Sequence, residues 1–171
     1  MDAKAQITGF FDGTQADDRG RFLRDIQSWP DARLEAVHDF IQWMFPLTEP
    51  SPVNPSAPVL DRETMDAFHA SPELRLALRA SWMRMLDFYG FEISDGRVQR
   101  AANFAEKSEK WLYQNNHNHL RITRILKCLR LLGLEREAAA FFDCLAELYA
   151  SEGVKPRPGI TERTFEFWRA A

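Results

Sequence analysis

The sequence predicts an all-α protein, a single compact domain over residues 1–171 with about seven or eight helices. Three observations predict it. Apolar residues recur at three- and four-residue spacing along almost the whole chain, which is the period of one helix face. No segment shows a convincing strand alternation. Prolines and glycines fall where that spacing starts and stops. The length of 171 residues, with 45% hydrophobic and 27% charged residues, suits one domain that buries its own core without disulfide or metal.

The elements follow in order. Phe22, Leu23 and Ile26 predict a helix over 16–28, and the first dozen residues carry no clear pattern. Over 31–45, Leu34, Val37, Ile41 and Met44 lie on one stripe, with Pro30 at the start and Pro46 at the end. Phe40 and Trp43 fall off that stripe, so this helix should bury two faces. Residues 46–60 hold five of the nine prolines and form a long loop. Loops of this length are functional or disordered, and Leu47, Val53, Val59 and Leu60 suggest one that packs down.

Asp61 is a good N-cap for a helix to Ala70. Ser71-Pro72 reads as cap and first position of the next helix, which stops at Gly90 and lines up Leu74, Leu78, Trp82, Met85 and Tyr89. Ser94-Asp95-Gly96 reads as a turn opening a further helix with Ala101, Phe104 and Trp111. A helix over 118–132 places Ile122, Ile125, Leu126 and Leu129 inward and stops at Gly133. Another runs from 134 to 151. Residues 153–159 (GVKPRPG) read as a linker to a short C-terminal helix capped by Thr161.

Composition narrows the function. A net charge of -3 argues against nucleic acid as a partner. The longest apolar run, Ala138–Phe142, is far below the ~20 residues of a membrane span. The N-terminal residues carry early acid and no apolar run, so no signal peptide is expected. Cys128 and Cys144 do not form a CxxC, which fits reduced thiols and a cytoplasmic location. Thirteen Phe and five Trp promise a thick aromatic core or an exposed aromatic groove.

No catalytic motif stands out: the chain lacks GxSxG, GxGxxG, GxxxxGK[ST] and HExxH. No catalytic residue, metal or cofactor is therefore assigned. His117 and His119 could share a loop site, but no third ligand accompanies them, and Asn118 reads as the cap of the following helix. Arg121 and Arg124 give that helix a basic side, and Arg121 borders the apolar arc. A buried guanidinium needs an internal acid such as Asp39 or Asp87, or else holds a ligand anion. His38 and Gln42, one turn apart, would serve carbonyls of the proline-rich loop. His69 reads as a C-terminal helix cap.

Three long strings carry a resemblance to one family. They are Leu34 to Pro46 (LEAVHDFIQWMFP), Trp82 to Gly90 (WMRMLDFYG) and His117 to Leu126 (HNHLRITRIL). In order and spacing they resemble the conserved region of the opioid growth factor receptor family, over residues 20–148. The resemblance implies a helical receptor-like domain. The family's animal members bind an enkephalin-type peptide and are linked to the nucleus and its envelope. Those members carry a repetitive charged tail, which these 171 residues do not show.

The expected function is a soluble intracellular binding module for a short peptide or a small anionic or aromatic ligand. Its candidate ligand-binding residues are His38, Gln42, Trp43, Trp82, His117, Asn118, His119, Arg121 and Arg124. Trp43, Phe45 and Trp82 would supply apolar walls, and an arginine would hold a carboxylate. The alternatives are an interaction or structural protein, for example a homodimer through aromatic surface, and an enzyme on a small anionic substrate. The enzyme would use His38, His117 and His119 for acid–base work, and its sign would be two histidines converging on one pocket.

Overall fold

The computed structural model describes residues 2–152, 155 and 158–171. Most of the expected 153–159 linker lies outside the described residues. The rest is mostly helical, as predicted: ten helices and one two-stranded hairpin stand among the described residues. They fall into two compact units.

The first unit comprises the chain up to Trp82 together with Cys128–Leu134. It holds α1 (Ala3–Asp12), α2 (Leu23–Gln27), α3 (Asp31–Ala36), α4 (Ile41–Met44) and α5 (Arg62–Ala70). It also takes the first part of α6 (Pro72–Tyr89) and the end of α8 (His117–Leu131). Edge-on aromatic contacts tie its core: Phe10 meets Phe11 with ring centres 5.8 Å apart, Phe11 meets Phe68 at 5.0 Å, and Trp29 meets Phe40 at 5.7 Å.

Two expected helices are shorter than their apolar spacing suggested. The 16–28 segment is helical only in α2. Upstream, the buried Asp17 carboxylate accepts from the backbone N–H groups of Arg19 (2.9 Å) and Arg21 (2.8 Å) and from Arg21 Nε (2.6 Å). An Asp that captures local backbone donors competes with the helix. The 31–45 segment breaks between α3 and α4, with Val37 extended at φ -97°, ψ 132°. Side chains satisfy the freed carbonyls there. Asn54 Nδ2 donates to the Asp39 carbonyl at 2.9 Å, and the Gln42 amide nitrogen faces the carbonyls of His38 (3.2 Å) and Asp39 (3.3 Å). Asn54 sits in the proline-rich loop, so that loop is anchored and buried at Leu47, Asn54 and Leu60. Leu60 N also donates to Leu47 O at 2.9 Å, closing its base.

Capping follows the sequence closely. Asp61 Oδ1 accepts from Thr64 N at 2.7 Å, and Ser71 Oγ accepts from Leu74 N at 3.3 Å. His69 Nε2 donates to the Leu131 carbonyl at 3.0 Å, so it caps α8, not its own helix.

The second unit comprises Met83–Lys127 and Glu135–Ala171. It contains β1 (Phe91–Ser94), β2 (Arg97–Arg100), α7 (Phe104–Ser108), α9 (Glu135–Glu152) and α10 (Glu162–Ala170), with the remainder of α6 and α8. The hairpin corrects the reading that Ser94-Asp95-Gly96 opens a helix. Asp95 and Gly96 both take positive φ (50° and 76°), as a two-residue primed turn requires. The register pairs Phe91 with Arg100 and Ile93 with Val98. Phe91 and Val98 thus share the buried face, where Phe91 packs against Phe141 at 5.9 Å. Trp111 donates through Nε1 to the Tyr89 carbonyl at 3.1 Å and stacks edge-on with Tyr89 at 5.4 Å.

Candidate functional site

The start of α8 is built by the loop before it. Asn116 is buried, and its Oδ1 accepts from Asn118 N at 2.8 Å while its Nδ2 donates to the Lys110 carbonyl at 3.0 Å. The cap is therefore Asn116, and Asn118 already lies in the first turn, because α8 begins at His117. The Asn118 side chain instead serves its own helix, with Oδ1 accepting from Arg121 Nη1 at 3.2 Å. Arg121 and Asn118 are both buried, and Arg124 is half-buried. The two acids expected as partners hold other cations. Asp39 Oδ1 accepts from Arg21 (2.8 Å), and Asp87 pairs with Arg84 (3.2 Å) and Lys107 (2.9 Å).

His119 is 5% exposed. Its Nε2 lies 3.1 Å from the Trp111 carbonyl. A carbonyl can only accept, so Nε2 carries the proton and Nδ1 is the lone-pair nitrogen of the neutral ring. Nδ1 is buried and has no hydrogen-bond partner among the described residues. Burial, first, lowers the pKa of His119 below its usual 6.5; the bond to Trp111 opposes this, and nearby His117 adds to it. The ring stands edge-on to Trp168 at 5.6 Å, and Trp168 Nε1 donates to the His119 carbonyl at 3.1 Å. This contact seats α10 on α8.

A cleft of about 460 Å³ opens where the first turns of α8 and α10 meet. His117, His119 and Leu120 line it from α8; Arg163, Thr164 and Phe167 line it from α10. Leu120 is 70% exposed and Phe167 48%, which gives the mouth two apolar lips. Thr161 Oγ1 caps α10 by accepting from Thr164 N at 3.1 Å. Both helix N-termini thus bring positive dipole ends to one place. Arg163 adds a full charge, resting 5.7 Å over the Phe167 ring, and among the described residues no acidic side chain lines the cleft.

The sequence-predicted residues divide between the units. His117 and His119 share the cleft, while Asn118, Arg121 and Arg124 stand on the same helix. In the first unit, His38 is exposed at the α3–α4 break, Gln42 closes that break, and Trp43 is buried with Nε1 donating to Asp18 Oδ1 at 3.0 Å. Trp82 and Phe45 are buried as well. Sequence reasoning missed Leu120, Arg163 and Phe167. A signal existed: Leu120 lies off the inward stripe of α8, and Phe167 off the Phe165–Trp168 side of α10. Among the described residues no three His, Cys, Asp or Glu side chains gather to hold a metal. No described helix is long and apolar enough to cross a membrane.

Fold and cleft define a mostly helical protein with a small polar-floored, apolar-lipped site at two converging helix starts. The sequence pattern of the opioid growth factor receptor (OGFr) conserved region matches residues 20–168, further toward the C-terminus than the 148 read from the sequence. The chain belongs to this family. It is 45% identical over 126 residues to the opioid growth factor receptor of Rattus norvegicus, covering 70% of this chain and 21% of that protein. With the Homo sapiens receptor it shares 38% over 160 residues, covering 89% and 23%. With opioid growth factor receptor-like protein 1 of Xenopus tropicalis it shares 36% over 140 residues, covering 80% and 26%. The chain therefore spans only about a fifth to a quarter of these relatives. No solved structure matches it.

Proposed function

We propose that this chain is a binding module whose site is the α8–α10 cleft. Its ligand is small, with an apolar or aromatic body against Leu120 and Phe167 and an anionic group toward Arg163 and the two helix starts. The observation that carries the reading is the combination of exposed apolar lips with an acid-free, positively polarised floor. The relatives' name, opioid growth factor receptor, describes proteins that receive a signalling ligand; a short peptide ending in an aromatic residue and a carboxylate has the chemistry this cleft takes. In this reading His117 and His119 face the ligand, Asn118 and Arg121 hold the helix start that presents them, and the protein works in the cytoplasm.

The test is calorimetric titration of the full chain with 3-phenylpropanoate, the simplest aromatic carboxylate of suitable size. Saturable binding weakened by both Arg163→Ala and Phe167→Ala is the expected result. Binding indifferent to both substitutions would place the ligand elsewhere and end this reading.

A further inference from the structure

The ligand that the cleft accepts must also deal with His119. Resting on the proposed binding reading, we infer that the cleft takes up an oxyanion together with one proton, and that the proton goes to His119 Nδ1. The geometry leaves that atom no alternative use. Nε2 is committed to the Trp111 carbonyl, so the ring cannot change tautomer without losing that bond. Nδ1 is buried and unpartnered among the described residues, a state that costs free energy until something donates to it or protonates it.

In the empty cleft, protonation is opposed. The charged and titratable groups lining the cleft with His119 are His117 on α8 and Arg163 on α10, and neither supplies negative charge. The loop before α8 meets the ring through the uncharged Trp111. Arg121, two residues on, is turned to Asn118. An entering carboxylate or phosphate reverses this balance. It supplies the negative charge that a buried imidazolium needs, and the new Nδ1–H becomes a charge-assisted donor to it. A hydronium ion or buffer acid gives up one proton to the Nδ1 lone pair, leaving water or the conjugate base; no other bond changes. The His119 ring lines the cleft and its Nδ1 is buried, so the ligand reaches that atom through a local side-chain rearrangement, a fast motion.

The consequence is linkage. A ligand that binds with a proton binds more weakly as pH rises, by up to about tenfold per unit above the pKa of the empty site. The experiment is titration of the full chain with 3-phenylpropanoate near neutral pH, in two buffers of different ionisation enthalpy. The difference in heat counts protons, and the probe's own carboxylate is already ionised. The expected result is uptake approaching one proton per ligand. ¹⁵N spectra of the imidazoles should show His119 Nδ1 gaining it. In His119→Gln the side-chain amide keeps an N–H for Trp111 but cannot take up a proton, so uptake should vanish and binding become pH-independent. Binding without proton uptake, or with the proton on His117, overturns this inference and leaves the binding reading standing. The absence of any binding overturns both.

Discussion

At the scale of single residues, His119 and Cys144 make opposite demands on pH. Burial keeps the His119 pKa below 6.5, so the unfolded state takes the proton first on acidification. Its contribution to stability is complete above pH 6.5 and is lost as pH falls through the lower, folded value. Denaturant titrations should show stability falling on the acid side, and the slope should flatten in His119→Gln. An unchanged slope would mean other groups set the acid limit. Cys144 is pushed up to about 11, first by burial and then by the nearby Glu147 carboxylate. Native protein should therefore alkylate slowly at neutral pH. Cys128 is buried too, so both thiols should react together only on unfolding, which mass spectrometry would count. These environments were not legible in the sequence. The HNH string announced the histidines but not that Trp111 and Trp168 would enclose one of them, since those contacts join residues 8 and 49 positions away.

At the scale of elements, local chemistry was legible and tertiary competition was not. Asp61, Ser71 and Thr161 cap helices as their types require, because a cap is satisfied within three residues. The 31–45 helix failed because its apolar stripe continues across a break where Asn54 and Gln42 side chains take up freed carbonyls. The hairpin was missed although Asp-Gly between Phe91-Glu92-Ile93 and Val98 is its turn signal; only four residues flank it on each side, too few for alternation to stand out. Two substitutions separate these effects. Asp61→Ala removes one cap and should lower stability modestly. Gly90→Ala should cost more, about 1–2 kcal/mol from its positive φ alone. There φ is 85°, and a Cβ would lie 3.0 Å from Phe104 Cα. Equal losses in chemical denaturation would contradict this ordering. Trp168→Ala should be harsher still, about 3–5 kcal/mol, because it removes the fully buried ring that seats α10.

At the scale of the whole molecule, the helical class and the family were both legible, the first from periodicity and the second from three long strings rich in uncommon residues. The cleft was half legible. Its histidines lie inside one of those strings, while Leu120, Arg163 and Phe167 meet only because α10 folds back onto α8. The matched region is only about a fifth to a quarter of each relative, so the ligand chemistry of this region is best read on this chain alone. Whether the α8–α10 cleft binds a small aromatic anion can be seen residue by residue in a backbone amide NMR titration with 3-phenylpropanoate. Saturable shifts gathered at residues 116–123 and 161–167 are expected. An unchanged spectrum, or shifts gathered on β2 and α9, would contradict the proposed site.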